Sequence, residues 1–83
     1  MTLLYFAWVR QKIGKSEERM TPPADDVAAL IAHLKKLGPN YADAFADLSR
    51  IRVAVNQHHA GLDMKIGPDD EVAFFPPVTG GRR

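Results

Sequence analysis

Residues 22–39 constrain this chain most tightly. Val27, Leu30, Ile31, Leu34 and Leu37 recur at i, i+3, i+4, i+7 and i+10, the spacing of one apolar stripe on a helix. Thr21-Pro22-Pro23 breaks the chain ahead of them. Asp25 is the expected N-cap, and Asp26 falls in the first turn, where the helix dipole favours an anion. Lys35 and Lys36 fall in the last turn, and Gly38-Pro39 ends the helix. Burying the five apolar side chains is worth roughly 7–15 kcal/mol gross. Fixing about a dozen residues costs ~1–2 kcal/mol each in backbone entropy. Such a helix cannot stand alone, so the rest of the chain must supply a sheet for it to lie on.

Strand candidates flank the helix. Leu3 to Val9 is an apolar run rich in aromatic and β-favouring residues. Read as one strand, it points Leu3, Tyr5, Ala7 and Val9 one way and Leu4, Phe6 and Trp8 the other. Both faces are apolar, so a central or doubly covered strand is expected. Ile13-Gly14-Lys15 reads as a turn, and Glu17 to Met20 as a short charged edge strand. Beyond the helix, Tyr41 to Leu48 reads as a second short helical turn with Tyr41, Phe45 and Leu48 on one side. Ile51, Val53 and Val55 alternate with Arg52, Ala54 and Asn56, as in a half-buried strand. Gln57 to Ile66 is ambiguous, with room for one short irregular strand around Leu62 to Lys65; Gly67-Pro68-Asp69-Asp70 reads as a turn, and Glu71 to Phe75 as a final strand ended by Pro76-Pro77. This order predicts a small α+β domain over residues 1–77, one main helix across one sheet. A flexible tail, 78–83, is expected to follow.

Eighty-three residues leave room for one thin core. Eleven Lys and Arg balance ten Asp and Glu, which argues against a dedicated nucleic-acid binder or a polybasic membrane anchor. Arg82 and Arg83 decide the sign, because without them nine bases face ten acids. The absence of cysteine excludes disulfides, thiolate metal sites and a Cys nucleophile. It also fits a cytoplasmic protein. The seven-residue apolar run is far short of the ~20 residues that span a membrane.

Few residues suggest chemistry of their own. His58 and His59 are adjacent, so on a strand they point to opposite faces, and no third ligand stands nearby; no metal site is expected. His33 reads as a helix surface residue. The aspartates sit at caps and turns, and there is no phosphate loop or nucleophile elbow. The unusual feature is the C-terminal segment. A hydrophobic strand runs into two prolines, which stiffen the base of a tail, and Gly80-Gly81 makes its tip the slimmest possible backbone. Pro76 to Gly81 can reach ~20 Å when extended. Composition alone is satisfied by a frayed terminus.

The segment Asp70-Glu71-Val72-Ala73-Phe74-Phe75-Pro76-Pro77-Val78-Thr79-Gly80-Gly81 resembles the C-terminus of the molybdopterin synthase small subunit, the MoaD family of sulfur carriers. Ala54-Val55-Asn56-Gln57 and Phe6-Ala7-Trp8-Val9-Arg10 resemble two further blocks of that family, at matching spacing. The resemblance implies a ubiquitin-like β-grasp fold, which agrees with the element order. It implies that a partner adenylating enzyme uses ATP to activate the carboxylate of Gly81, that a sulfur donor converts it to a thiocarboxylate, and that the large synthase subunit receives the loaded tail. Sulfur then passes to a pterin precursor in molybdenum cofactor synthesis. No stably bound cofactor is implied, and the catalytic pocket belongs to the large subunit of a heterotetramer.

By the same resemblance, Val78, Thr79 and Gly80 form the tail, and Phe6, His59, Phe75, Pro76 and Pro77 belong to the partner interface, with Arg10 at its rim. Phe74 and Phe75 alternate faces, and Phe75 is the one expected outside. His59 departs from the family, which more often has an apolar residue there. The larger departure is Arg82-Arg83: Gly81 lies in a peptide bond and has no carboxylate to activate. Removal of both arginines is therefore expected before loading. Two alternatives share the Gly-Gly end: a carrier for another pathway such as thiamine synthesis, and a ubiquitin-like protein modifier.

Overall fold

A computed structural model describes residues 1–77; the sequence readings at Val78, Thr79, Gly80, Gly81, Arg82 and Arg83 lie outside the described residues. The elements run β1 (Thr2–Tyr5), α1 (Ala7–Ile13), β2 (Glu17–Arg19), α2 (Val27–Lys35), α3 (Pro39–Ala44), a 3₁₀ turn (Leu48–Arg50), β3 (Arg52–Val55), β4 (His58–Ala60) and β5 (Glu71–Phe75). The strands form one mixed sheet in the order β2-β1-β5-β3-β4. The last strand is thus the middle one. It runs parallel to β1 and antiparallel to β3.

One apolar core joins the helices to one face of this sheet. Leu3, Tyr5, Val53, Val55, Val72 and Phe74 come from the strands. Val9, Ile13, Val27, Leu30, Ile31, Leu34, Tyr41, Ala44 and Phe45 come from the helical layer and its connections. Phe74 is completely buried, stacked on Tyr5 at 6.0 Å between ring centroids and edge-on to Phe45 at 5.0 Å. The helix stripe read from the sequence faces this core with one exception. Leu37 lies past the end of α2 and is 46 % exposed, because the helix stops at Lys35, two residues short of it.

Three further expectations are corrected. The Leu3–Val9 run is not one strand. It bends at Phe6 and Ala7, with Ala7 at φ 54°, and continues as α1, which buries Val9 and Ile13 one turn apart. The N-cap of α2 is Asp26, not Asp25: its Oδ1 accepts the Ala29 amide at 2.8 Å. Asp25 instead uses its carbonyl to accept the Ile66 amide. Finally, the strand near the C-terminal third is His58–Ala60, whereas residues 62–65 make only an isolated bridge between Asp26 and Lys65. That irregular segment has another role. The carbonyls of Met64 and Leu62 accept the amides of Val27 and Ala28, two first-turn donors that the helix cannot satisfy itself. His33, expected at the surface, is half-buried.

Two polar devices hold the ends of the sheet. Asn56 and Gln57 both have positive φ, 51° and 71°, and close the β3–β4 hairpin as a two-residue turn of type I′ geometry. Asn56 donates to Asp70 Oδ1 and accepts the Glu71 amide, both at 3.0 Å, so the turn is tied to the start of β5. At the other edge, Glu18 Oε2 accepts the hydroxyls of Tyr5 and Tyr41 at 2.7 and 2.8 Å, while Oε1 accepts from Lys15 at 3.0 Å. Burial pushes the Glu18 carboxyl up, but the bonds from Tyr5, Lys15 and Tyr41 outweigh it and hold the group below its ordinary range.

Two stability predictions follow from these ties. Asn56→Ala loses both bonds and replaces a residue that tolerates positive φ with one that tolerates it less; urea unfolding should show a loss of about 1–2 kcal/mol. Glu18 has a lower pKa folded than unfolded, so its contribution is whole above its ordinary value of 4.5 and is lost as pH falls through the depressed folded value. Glu18→Gln should therefore cost about 1–2 kcal/mol at neutral pH. The gap from the native protein should shrink in urea melts taken at progressively lower pH through the acid range.

Candidate functional site

The helices cover one face of the sheet and leave the other open. Strand alternation puts Leu4, Ala73, Ala54 and His59 in one row across that open face, each paired with the next: Leu4 with Ala73, Ala73 with Ala54, Ala54 with His59. The alanines give the row a low floor. One step nearer the C-terminal end of β5, Phe6 and Phe75 follow the paired residues Tyr5 and Phe74 and share the open face. The Phe6 amide donates to the Phe74 carbonyl at 3.1 Å, which locks the two strands together where β1 ends. Phe6 is 48 % exposed, and Phe75 is half-buried. The His59 ring stands edge-on to Phe75, 5.7 Å between centroids and tilted 70°. The fold thus brings Phe6, Phe75 and His59 onto one continuous surface. His58 is paired with Val55 and faces away from this row.

Phe75 leads directly into Pro76 and Pro77, both half-buried. They line an open groove of about 460 Å³ with Trp8, Ser49 and Arg50. The Arg50 guanidinium lies over the Trp8 indole, 5.2 Å from its centroid. Arg10 is exposed on α1. Arg52 opposes Phe75 in the β3–β5 register, and its guanidinium donates to the Ser49 and Ile51 carbonyls at 3.4 and 3.2 Å. Among the described residues the ion pairs lie elsewhere: Lys12 with Asp43, Lys15 with Glu18 and Arg19 with Glu17. Arg10, Arg50 and Arg52 are in none of these pairs. Among the described residues no group of three or more His, Asp or Glu is placed to hold a metal, and no helix is long and apolar enough to cross a membrane.

Trp8 and Arg50 have no place in the sequence reading of this site. As part of a strand, Trp8 faces the opposite way from Val9; in the structure it lies on α1. The i, i+4 pair Val9 and Ile13, followed by Gly14, is the signal that separates the helix from the strand.

A five-stranded mixed sheet wrapped round a helix, with its last strand in the centre and its chain leaving beside an apolar open face, defines a ubiquitin-like β-grasp protein. The solved structure of small archaeal modifier protein 1 from Haloferax volcanii matches with a TM-score of 0.78 at 27 % identity, covering 94 % of this chain and 97 % of that one. Subunit 1 of the molybdopterin-converting factor from Helicobacter pylori 26695, solved as a complex of subunits 1 and 2, provides a further fold likeness: TM-score 0.63 at 21 % identity over 96 % of each chain. The ThiS family model matches residues 3–81. The molybdopterin synthase sulfur carrier subunit of Escherichia coli (strain K12) is 38 % identical over 79 residues, 95 % of this chain and 96 % of its own. The chain belongs to the ThiS/MoaD family.

The two adjacent phenylalanines separate core from surface. Phe74→Ala should cost about 3–5 kcal/mol in chemical denaturation, because it empties a fully buried ring site. Phe75→Ala should cost less than about 1.5 kcal/mol, since its ring lies on the open face.

Proposed function

We propose that this chain is the sulfur carrier subunit of a molybdopterin synthase. The observation that carries the reading is the end-to-end likeness to a sulfur carrier subunit, 38 % identity over 95 % of the chain. The ThiS family model, matched over residues 3–81, spans the open face and runs on to the Gly80-Gly81 pair. In this reading the carboxylate of Gly81 attacks the α-phosphorus of ATP on an adenylating enzyme, and pyrophosphate leaves. A carboxylate is a poor acyl donor, whereas the acyl-adenylate has AMP as a good leaving group. A sulfur donor then displaces AMP and leaves a thiocarboxylate on Gly81. The carrier docks on the large synthase subunit through Phe6, Phe75 and His59, with Pro76 and Pro77 leading Val78, Thr79 and Gly80 toward the pocket and Arg10 at the rim. The thiocarboxylate gives its sulfur to a pterin precursor. The assembly is a heterotetramer with one carrier at each end, and ATP is consumed on the partner rather than held by the carrier.

Two features of this chain modify the scheme. Arg82 follows Gly81, so the Gly81–Arg82 peptide bond must be hydrolysed before any carboxylate exists there to activate. His59 places an imidazole where the docking patch is otherwise apolar, so the matching partner surface must offer it an acceptor or water.

The test is reconstitution with an adenylating enzyme, ATP, sulfide, large subunit and pterin precursor. Protein ending at Gly81 should become thiocarboxylated and yield dithiolene product. Protein retaining Arg82-Arg83 should do neither, and deletion of Gly81 should abolish transfer with an unchanged melting temperature. No dithiolene from the Gly81-terminated form rejects the reading. The likeness to small archaeal modifier protein 1 favours one competitor, a protein modifier; lysine conjugates of Gly81 in the native host would select it. Product in a thiazole-forming rather than a pterin assay would select a thiamine-type carrier.

A further inference from the structure

Strand pairing places two basic side chains around Phe75 on the open face. Val53 and Val55 are buried, so Arg52 and Ala54, which alternate with them, point outward. Arg52 is opposite Phe75 on one side of β3, and Ala54 is opposite His59 on the other. His59 and Phe75 lie on strands that flank β3, so their ring contact is made across β3. Ala54 is small enough to let the imidazole reach over it. Arg52 is the diagonal neighbour of His59, ~7–8 Å away along the backbone and within reach of a long side chain. Both side chains are exposed. The Arg52 guanidinium donates to the Ser49 and Ile51 carbonyls through Nη1, and among the described residues neither Arg52 nor His59 pairs with a carboxylate.

The acidic groups lie elsewhere. Glu71 is four residues back along β5 from Phe75, about 13 Å at the rise of a strand. Glu17 is paired with Arg19 on β2, four strands across the sheet from His59, about 19 Å. Asp63 follows β4, and its Oδ1 lies 3.1 Å from where a β-carbon on Gly61 would stand, but it forms no ion pair with Arg52 or His59. Asp70 is held by Asn56 and the Gly67 amide at the opposite end of β5. His58 faces away from this row.

We propose that His59 and Arg52 are specificity-determining residues of this face and together receive one carboxylate, an Asp or Glu side chain of the large synthase subunit. The inference deepens the sulfur-carrier reading and rests on it for the identity of the partner. An apolar partner surface would strand the charge of Arg52 without water or a counter-charge. A neutral carbonyl could accept from the imidazole but would not offset that charge. A carboxylate does both, because its two oxygens accept from an imidazole N–H and a guanidinium at once. Imidazole is also the ordinary side chain that gains a proton between pH 8 and pH 6. A carboxylate favours the protonated ring, so docking must tighten as pH falls, whereas an apolar or basic partner surface would make it weaken.

The experiment measures Kd between Gly81-terminated protein and the large subunit by calorimetry at pH 6 and pH 8, with single-turnover sulfur transfer recorded alongside. Binding should be roughly fivefold tighter at pH 6. In His59→Leu the two values should agree within about twofold, which separates this imidazole from every other titrating group on either protein. Arg52→Gln should weaken binding about threefold at low salt, and Arg52→Lys should recover most of that loss by keeping the charge. Binding and transfer with a flat or reversed pH response overturn the inference and leave the carrier reading standing. So does a pH response that survives His59→Leu, or an Arg52→Gln affinity equal to that of the native protein. A native chain that neither binds the large subunit nor transfers sulfur overturns both.

Discussion

The insertion of β5 between β1 and β3 is the constraint on which everything else depends. A central strand satisfies its backbone groups on both sides, so its register is held by two ladders rather than one. Within five residues it also fixes parity. Val72 and Phe74 are fully buried, while Ala73 and Phe75 face the other way. A slip of one residue would push Phe75 into the core and expose Phe74, removing the Tyr5–Phe74–Phe45 aromatic stack and the open-face ring together. The same pairings that stabilise the fold therefore place the candidate site. They also ensure that the chain leaves from the middle of the sheet, next to the end of β1 and the start of β3, rather than from an edge.

The remaining elements brace that insertion. The N-terminal strand is the parallel neighbour of the C-terminal one, which makes the closing contact the longest-range one in the chain. Glu18 ties edge strand β2 to Tyr5 on β1 and to Tyr41 on α3, so the sheet edge and the helical layer are joined through one carboxylate. Asn56 does the corresponding work at the far end, joining the β3–β4 turn to the start of β5. Neither polar group is buried deeply enough to demand a costly internal charge, and no polar or charged residue appears among the fully buried ones described.

The sequence was most legible where one periodicity excluded the other. The stripe from Val27 to Leu34 allows only a helix, and Glu71 to Phe75, bracketed by a turn and two prolines, allows only a strand. Leu3 to Val9 was misread because seven apolar residues satisfy period 2 and period 3.6 alike. Propensity favours a strand there, but tertiary packing of Val9 and Ile13 against the core prevails. The edge strand at His58 falls in the ambiguous stretch because it is three residues long and opens with two histidines, and an edge carries little of the apolar signal by which strands are read. Asp25 and Asp26 are equally good caps by type; only the pairing of Asp25 with Ile66, which lies forty-one residues away, decides between them. At the site, strand parity requires only that Phe74 and Phe75 face opposite ways; the choice of Phe75 as the outward ring comes with the family likeness. The proximity of Phe6, Phe75 and His59 entered through family likeness, because it depends on register between strands distant in sequence. The groove at Trp8 and Arg50 could not be read at all while Trp8 was placed in a strand.

Under the proposed function, the architecture separates recognition from chemistry. The described core holds no charged side chain, the open face carries Leu4, two alanines, two phenylalanines and one histidine, and the chain has no cysteine. Under the proposed function this is an advantage rather than a gap. Any thiol or reactive base on the carrier would compete for the activated terminus, whereas a carrier that holds sulfur on a carboxyl carbon needs neither. The demands on the scaffold are then geometric: a rigid origin for the tail and a face that docks in one orientation. The central position of β5 supplies the first, and strand parity supplies the second.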